Sequence, residues 1–195
     1  MLDGKIAVVT GSCAGIGAGI ARQLSSLGAT VVVNYPFASL KHEADSVLES
    51  LETPGIAVEA DLSTLQGPQH LIDTAVKNFG KIDILVNNAS VALFKPLELA
   101  TIEEWNIMIN LNGRGYLLVT QAALPHLNNP SRIVNITSSD CRFPKLTHSL
   151  YTGTKGMQDV FTKVWSKELP PKYGCTVNSV IPCATRYYSD LSIHC

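Results

Sequence analysis

The stretch Ile6-Ala7-Val8-Val9-Thr10-Gly11-Ser12-Cys13-Ala14-Gly15-Ile16-Gly17 decides how this chain folds. A short, mostly β-branched apolar run enters a connection with glycines at positions 11, 15 and 17. Residues 6–10 read as a first strand and residues 15–27 as the helix that follows it. Gly11 suits a tight turn, Gly15 a close approach of the backbone to a ligand, and Gly17 close packing of helix on sheet. A helix that begins in this way turns free N–H groups and the positive end of its dipole outward, as a pyrophosphate requires. Residues Gly11, Ser12, Gly15, Ile16 and Gly17 are therefore candidates for holding a dinucleotide. The spacing is GxxxGxG, not the GxGxxG of the general dinucleotide fingerprint.

The rest of the chain repeats the same alternation. Apolar runs at 30–33, 56–58, 82–86, 132–136 and 176–181 are nearly continuous, as expected for strands covered on both faces. Helical patterns separate them. Six strands and five intervening helices predict one α/β domain over residues 1–195, a doubly wound parallel sheet with helices on both faces. The longest helix is expected over 101–126, opened by a capping box of Thr101 and Glu104. Its middle, Asn110-Leu111-Asn112-Gly113-Arg114-Gly115, is poor helix material, each glycine costing up to about 1 kcal/mol relative to alanine. A break of that kind inside a good element marks close packing or function.

Composition limits the function classes. With 195 residues and 46% apolar content, the chain can bury one sizeable core. A net charge of −1 without a basic run argues against nucleic acid or an anionic membrane as partner. No apolar run approaches the roughly 20 residues of a membrane span, and the N-terminus lacks a signal-peptide pattern. The five cysteines form no CxxC and no Cys/His ligand spacing, so they read as reduced residues of a cytoplasmic protein with no metal site. His42, His70, His126, His148 and His194 show no ligand spacing and are expected on the surface or in loops. Trp105 and Trp165 fit the core-facing sides of amphipathic helices.

The chemistry is concentrated in Tyr151-Thr152-Gly153-Thr154-Lys155. Four residues apart, a phenol and an ammonium share one helix face. A free tyrosine, with a pKa of about 10, is a poor acid–base group at neutral pH; a fixed positive charge beside it favours the phenolate. Ser138 and Ser139 follow the 132–136 strand, at the strand end where a doubly wound sheet binds ligands.

Together these residues make the chain resemble the short-chain dehydrogenase/reductase family. The glycine turn, Asp61-Leu62, Asn87-Asn88-Ala89, Asn110, Ser138, Tyr151, Lys155 and Asn178 fall in family order over roughly residues 4–185. The likeness is greatest to 3-oxoacyl-carrier-protein reductases and fungal ketone or naphthol reductases. It implies a Rossmann domain that moves a hydride between NAD(H) or NADP(H) and a small-molecule ketone or secondary alcohol. It implies Tyr151 as general acid–base, Lys155 as its charged neighbour and ribose contact, and Ser138, rather than Ser139, as holder of the substrate oxygen. Asn110 takes the place of an asparagine that holds a water in a proton relay. Asp61, Leu62, Asn88 and Ala89 take adenosine-binding places. Helices over 101–126 and 151–169 would form a homodimer.

An NAD site usually carries an acidic residue at the end of the second strand. Here that place is near Asn34, a candidate cofactor contact, and no Asp or Glu occurs between it and Glu43, which favours NADP(H), with Ser39 and Lys41 as candidate contacts of the 2′-phosphate. Ala14 stands where many NADP-preferring relatives have Arg or Lys. Three further departures from the family pattern are Ser90 for glycine, Cys183 for glycine and Tyr187 for a threonine that contacts the carboxamide. The chain also ends before the family's last helices and seventh strand, so an exposed edge at the sixth strand is expected. A protein of this kind with impaired catalysis, kept for nucleotide binding or assembly, is the alternative expectation.

Overall fold

Six parallel strands lie in the order β3-β2-β1-β4-β5-β6 in the computed structural model, which describes residues 1–183. The expectations for Tyr187, the tail beyond it and His194 lie outside the described residues. The strands are β1 (Ile6–Val9), β2 (Thr30–Tyr35), β3 (Gly55–Glu59), β4 (Ile82–Asn87), β5 (Leu127–Ile136) and β6 (Cys175–Val180). Helices α1 (Gly15–Ser26), α2 (Lys41–Glu49), α3 (Gly67–Phe79), α4 (Ile102–Met108), α5 (Tyr116–Ala123), α6 (Ser149–Glu168) and α7 (Pro170–Tyr173) connect them. This is the predicted doubly wound, Rossmann-type sheet.

Strand residues alternate between two faces, and each face builds its own core. Val8, Val32, Leu85, Ile133 and Val177 pack against Leu71 and Ile72 of α3 and Val119 and Ala123 of α5. Ala7, Val9, Val31, Val33, Ile84 and Val86 pack against Ala18 and Ala21 of α1 and Ala44 and Val47 of α2. Burying each larger side chain contributes roughly 1.5–3 kcal/mol. Because both faces are covered, the strands read as unbroken apolar runs.

The single helix expected over 101–126 is four elements. Its capping box is present: Thr101 Oγ1 accepts from the Glu104 N–H, and Glu104 accepts from the Thr101 N–H. After α4 the chain passes through a π-helical segment, Ile109–Gly115, before α5, and ends in a 3-10 turn, Leu124–His126. Close packing explains the glycines. A Cβ on Gly115 would strike the Leu62 carbonyl oxygen, and one on Gly113 would lie 2.7 Å from Met157 Cε. The extra residue per turn lets both approaches coexist with a continuous helix, a geometry frequent at functional sites.

Trp105 corrects a sequence expectation. It is 42% exposed, whereas Trp165 packs on the core and stacks on Tyr116 with centroids 5.2 Å apart. An amphipathic helix has one apolar face, but pattern alone does not say whether its own domain covers that face.

Candidate active site

All six strands are parallel, so their C-terminal ends share one edge of the sheet. The order reverses between β1 and its neighbours β2 and β4, and this opens a crevice there. The glycine turn lies at that crevice. Gly11 has φ +57° and Gly15 φ +58°, a left-handed conformation that costs glycine no steric strain. A Cβ on Gly17 would strike Gly11 O and lie 2.5 Å from Asn88 Nδ2. Gly17 therefore lets α1 close on the turn itself as well as on the sheet.

The turn is braced by its neighbours. Thr10 Oγ1 accepts from the N–H groups of Asn88 and Ala89, both at 2.9 Å. Asn88 Nδ2 donates to the carbonyls of Thr10 and Gly11. Ser12 is fully buried; its hydroxyl donates to Val9 O and accepts from the Asn34 N–H. At the start of α1 no side chain caps the helix and no acidic residue stands in the first turn. Its first N–H groups are thus available to an anion.

Asn34 has a different place from the one expected. Its side chain is 1% exposed; Oδ1 accepts from the Gly11 N–H at 3.0 Å and Nδ2 donates to Ala60 O at 3.0 Å. The amide is turned into the sheet, where it shapes the glycine turn, and is not presented to a ribose. An amide satisfies both ends in this way, which a carboxylate cannot do. The exposed positions beyond β2 are Phe37, Ala38 and Ser39. Lys41 is held by Asp45, with Nζ 2.6 and 2.8 Å from its two oxygens. At the end of β3, Asp61 accepts from the N–H and hydroxyl of Ser63, while the Leu62 side chain belongs to the core. Ile16 is partly buried in the first turn of α1.

Across the crevice stands α6. Lys155 is 2% exposed, and its Nζ donates to Ile136 O at 2.8 Å and to Gln158 Oε1 at 3.2 Å. Burial pushes its pKa down from the ordinary 10.5 to about 8. Nζ lies 5.9 Å from the centroid of the Tyr151 ring, so the predicted pair does share a face. Ser138 lies two residues after Ile136, the residue that anchors Lys155. Its Oγ accepts from the Asp140 N–H at 3.2 Å, which leaves its own proton for another acceptor.

His148 is more than a loop residue. Its Nδ1 is 2.6 Å from Asp140 Oδ2, and its ring stacks on Phe94 at 3.9 Å between centroids. Phe94 in turn meets Tyr151 edge-on at 5.6 Å. This joins the turn that carries Ser138 to the start of the helix that carries Tyr151.

Two residues near the pair were not singled out in the sequence. Asn112 is fully buried in the π-helical segment. Its Oδ1 accepts from the Val91 N–H, and its Nδ2 donates to Val91 O and Thr154 Oγ1. Gln158 Nε2 donates to Asn112 O at 2.7 Å. Asn110 is partly buried two residues earlier. Both asparagines lie in the same glycine-rich break, and the π geometry, invisible in sequence, decides which one faces α6. For Gln158 a signal was available: a glutamine three residues after a lysine shares its helix face.

The family model described as short chain dehydrogenase matches residues 5–192. A short chain dehydrogenase/reductase of Cryptosporiopsis sp. is 43% identical over 99% of this chain and 74% of its own length. A hydroxynaphthalene reductase of Aspergillus fumigatus is 36% identical over 95% of this chain and 68% of its own. Among solved structures, a short chain dehydrogenase from Burkholderia cenocepacia in complex with NADP superposes with a TM-score of 0.87 at 35% identity, over 93% of this chain and 74% of that one. A 3-ketoacyl-(acyl-carrier-protein) reductase from Brucella melitensis complexed with NADH gives 0.88 at 31% identity, over 94% and 77%.

Proposed function

The chain belongs to the short-chain dehydrogenase family, oxidoreductases that act on CH–OH groups with NAD(P), and from that premise we propose that it interconverts a ketone and a secondary alcohol with NADP(H). The observation that carries this reading is the Tyr151–Lys155 pair on one face of α6, with Lys155 bonded to the C-terminal end of β5. The residues present fit a dinucleotide. The turn bends through the left-handed Gly11 and Gly15, and the uncapped start of α1 offers N–H donors. Gly11, Gly15, Ile16 and Gly17 would hold the pyrophosphate, Asp61, Asn88 and Ala89 the adenosine, and Lys155 the nicotinamide ribose. When bound, the nicotinamide supplies or accepts the hydride.

In reduction, the Tyr151 hydroxyl gives its proton to the carbonyl oxygen; in oxidation, the phenolate takes the alcohol proton. The Lys155 ammonium stabilises that phenolate across a site of low dielectric. The Ser138 hydroxyl donates a hydrogen bond to the same substrate oxygen and holds it as charge develops. Asn112 takes the role that the resemblance placed on Asn110, because its hydrogen bonds connect the segment after β4 with α6. NADP(H) is favoured over NAD(H) because Phe37, Ala38 and Ser39 bring no carboxylate against a 2′-phosphate, and Lys41 can exchange Asp45 for it. The solved neighbours include complexes with each cofactor, so NADPH and NADH titrations decide this point.

The test of function is turnover on a panel of ketones and secondary alcohols, with Tyr151→Phe as control. The variant is expected to bind dinucleotide with parental affinity and lose turnover. Full turnover without the phenol would overturn the assignment. Dinucleotide binding without turnover by the parent would instead favour the binding or assembly role.

A further inference from the structure

Gln158 lies nearly one turn beyond Lys155 on α6 and is 1% exposed. A long polar side chain at such a depth is costly unless both ends of its amide are bonded. Here both are, and to two parts of the site at once. Oε1 accepts from Lys155 Nζ at 3.2 Å, and Nε2 donates to Asn112 O at 2.7 Å. The helix around it supports the arrangement, since the Gln158 carbonyl accepts from the Thr162 hydroxyl at 2.8 Å.

We propose that Gln158 is a positioning residue for Lys155: its amide couples the ammonium to the π-helical turn at Asn112 and holds it, charged, beside the Tyr151 phenol. This rests on the reading of Tyr151 and Lys155 as the acid–base pair. An ammonium has three donors. Two go to Ile136 O and Gln158 Oε1, and these fix its direction while leaving one for an acceptor on a ligand. Each acceptor favours the charged form against the cost of burial. The other groups that face Lys155 do not replace Gln158. Tyr151 lies on its own helix, with Nζ at 5.9 Å from the ring centroid. Burial pushes the pKa of the Cys141 thiol, on the turn after β5, up, and Cys141 acts on Lys155 only through its charge, which raises the Lys155 pKa. Asp140 on that turn is engaged by His148 and Lys145, and Asp159 on α6 by Lys163.

The test uses Gln158→Met, which keeps length and removes both bonds, and Gln158→Glu, which keeps the acceptor toward Lys155. Lysine labelled at Cε gives a carbon resonance for Lys155, assigned by its loss in Lys155→Arg. Its pH titration is then followed by NMR with no need for turnover. Gln158→Met is expected to raise the acid dissociation constant of Lys155 about tenfold, as removal of one hydrogen bond to a charged group implies. Gln158→Glu is expected to bring the midpoint to the parental value or above it. In the active enzyme, the alkaline limb of kcat moves with the NMR midpoint. An unchanged midpoint in Gln158→Met overturns the proposal. Should that variant not fold, a midpoint in Gln158→Glu below that of the parent overturns it instead. A midpoint that moves in Gln158→Met, when the parent itself shows no turnover, leaves the positioning of Lys155 standing and removes the hydride-transfer reading.

Discussion

Replacing Lys155 by methionine tests the electrostatics on which the site depends. Burial holds the Lys155 pKa at about 8, against an ordinary value of 10.5. Below pH 8 both the folded and the unfolded chain carry the proton, so the full difference opposes folding. It corresponds to about 3 kcal/mol, at about 1.4 kcal/mol per pH unit. The sign follows from the direction. The folded pKa is the lower one, so the unfolded chain binds more protons between about 8 and 10.5, and the penalty is relieved as pH rises through that window. Near pH 9.5 about half remains. Methionine cannot titrate, so the stability of Lys155→Met relative to the parent should fall by roughly 2 kcal/mol from pH 7 to pH 9.5. The absolute difference at pH 7 also contains the acceptors stranded at Ile136 O and Gln158 Oε1, about 1–3 kcal/mol each, so the slope is the test. Urea unfolding followed by tryptophan fluorescence at four or five pH values measures it. A difference flat across that range would mean that Lys155 is hydrated, and would remove the argument that its charge acts strongly on Tyr151.

Gly17→Val is expected to weaken dinucleotide binding at least tenfold, because the new side chain would meet Gly11 O and Asn88 in a braced turn; unchanged affinity by calorimetry would refute the turn's role. Asn112→Leu should cost roughly 3 kcal/mol by chemical denaturation through its lost buried hydrogen bonds, and should abolish most turnover. Asn110→Leu should stay within about 1 kcal/mol of the parent and keep turnover; the reverse ranking would restore Asn110 to the relay. Ile102 and Trp105 of α4 and Val160 and Val164 of α6 are exposed apolar residues on the helices expected to pair. The protein should therefore sediment as a dimer that Val164→Glu shifts toward monomer, and a parental monomer at all concentrations would remove that interface.

The fold was legible because its determinants are local and periodic. Covered parallel strands must be apolar along their whole length, and the glycines at 11, 15 and 17 have conformational and packing duties that few other residues can perform. The Tyr151–Lys155 pair was legible for the same reason, since four residues along a helix place two side chains on one face. Where sequence reasoning fell short, the deciding contacts were between distant segments. Asn34 looked like a ribose contact by its place at a strand end, yet its partners are Gly11, Val58 and Ala60, which only the assembled sheet brings around it. Asn110 and Asn112 are equivalent on paper, and the π-helical turn forced by packing against Leu62 and Met157 rotates one of them toward α6. The charge state of Lys155 likewise belongs to the tertiary structure: the sequence places an ammonium near a phenol, but burial between β5, the π-helical segment and α6 sets how strongly the two interact.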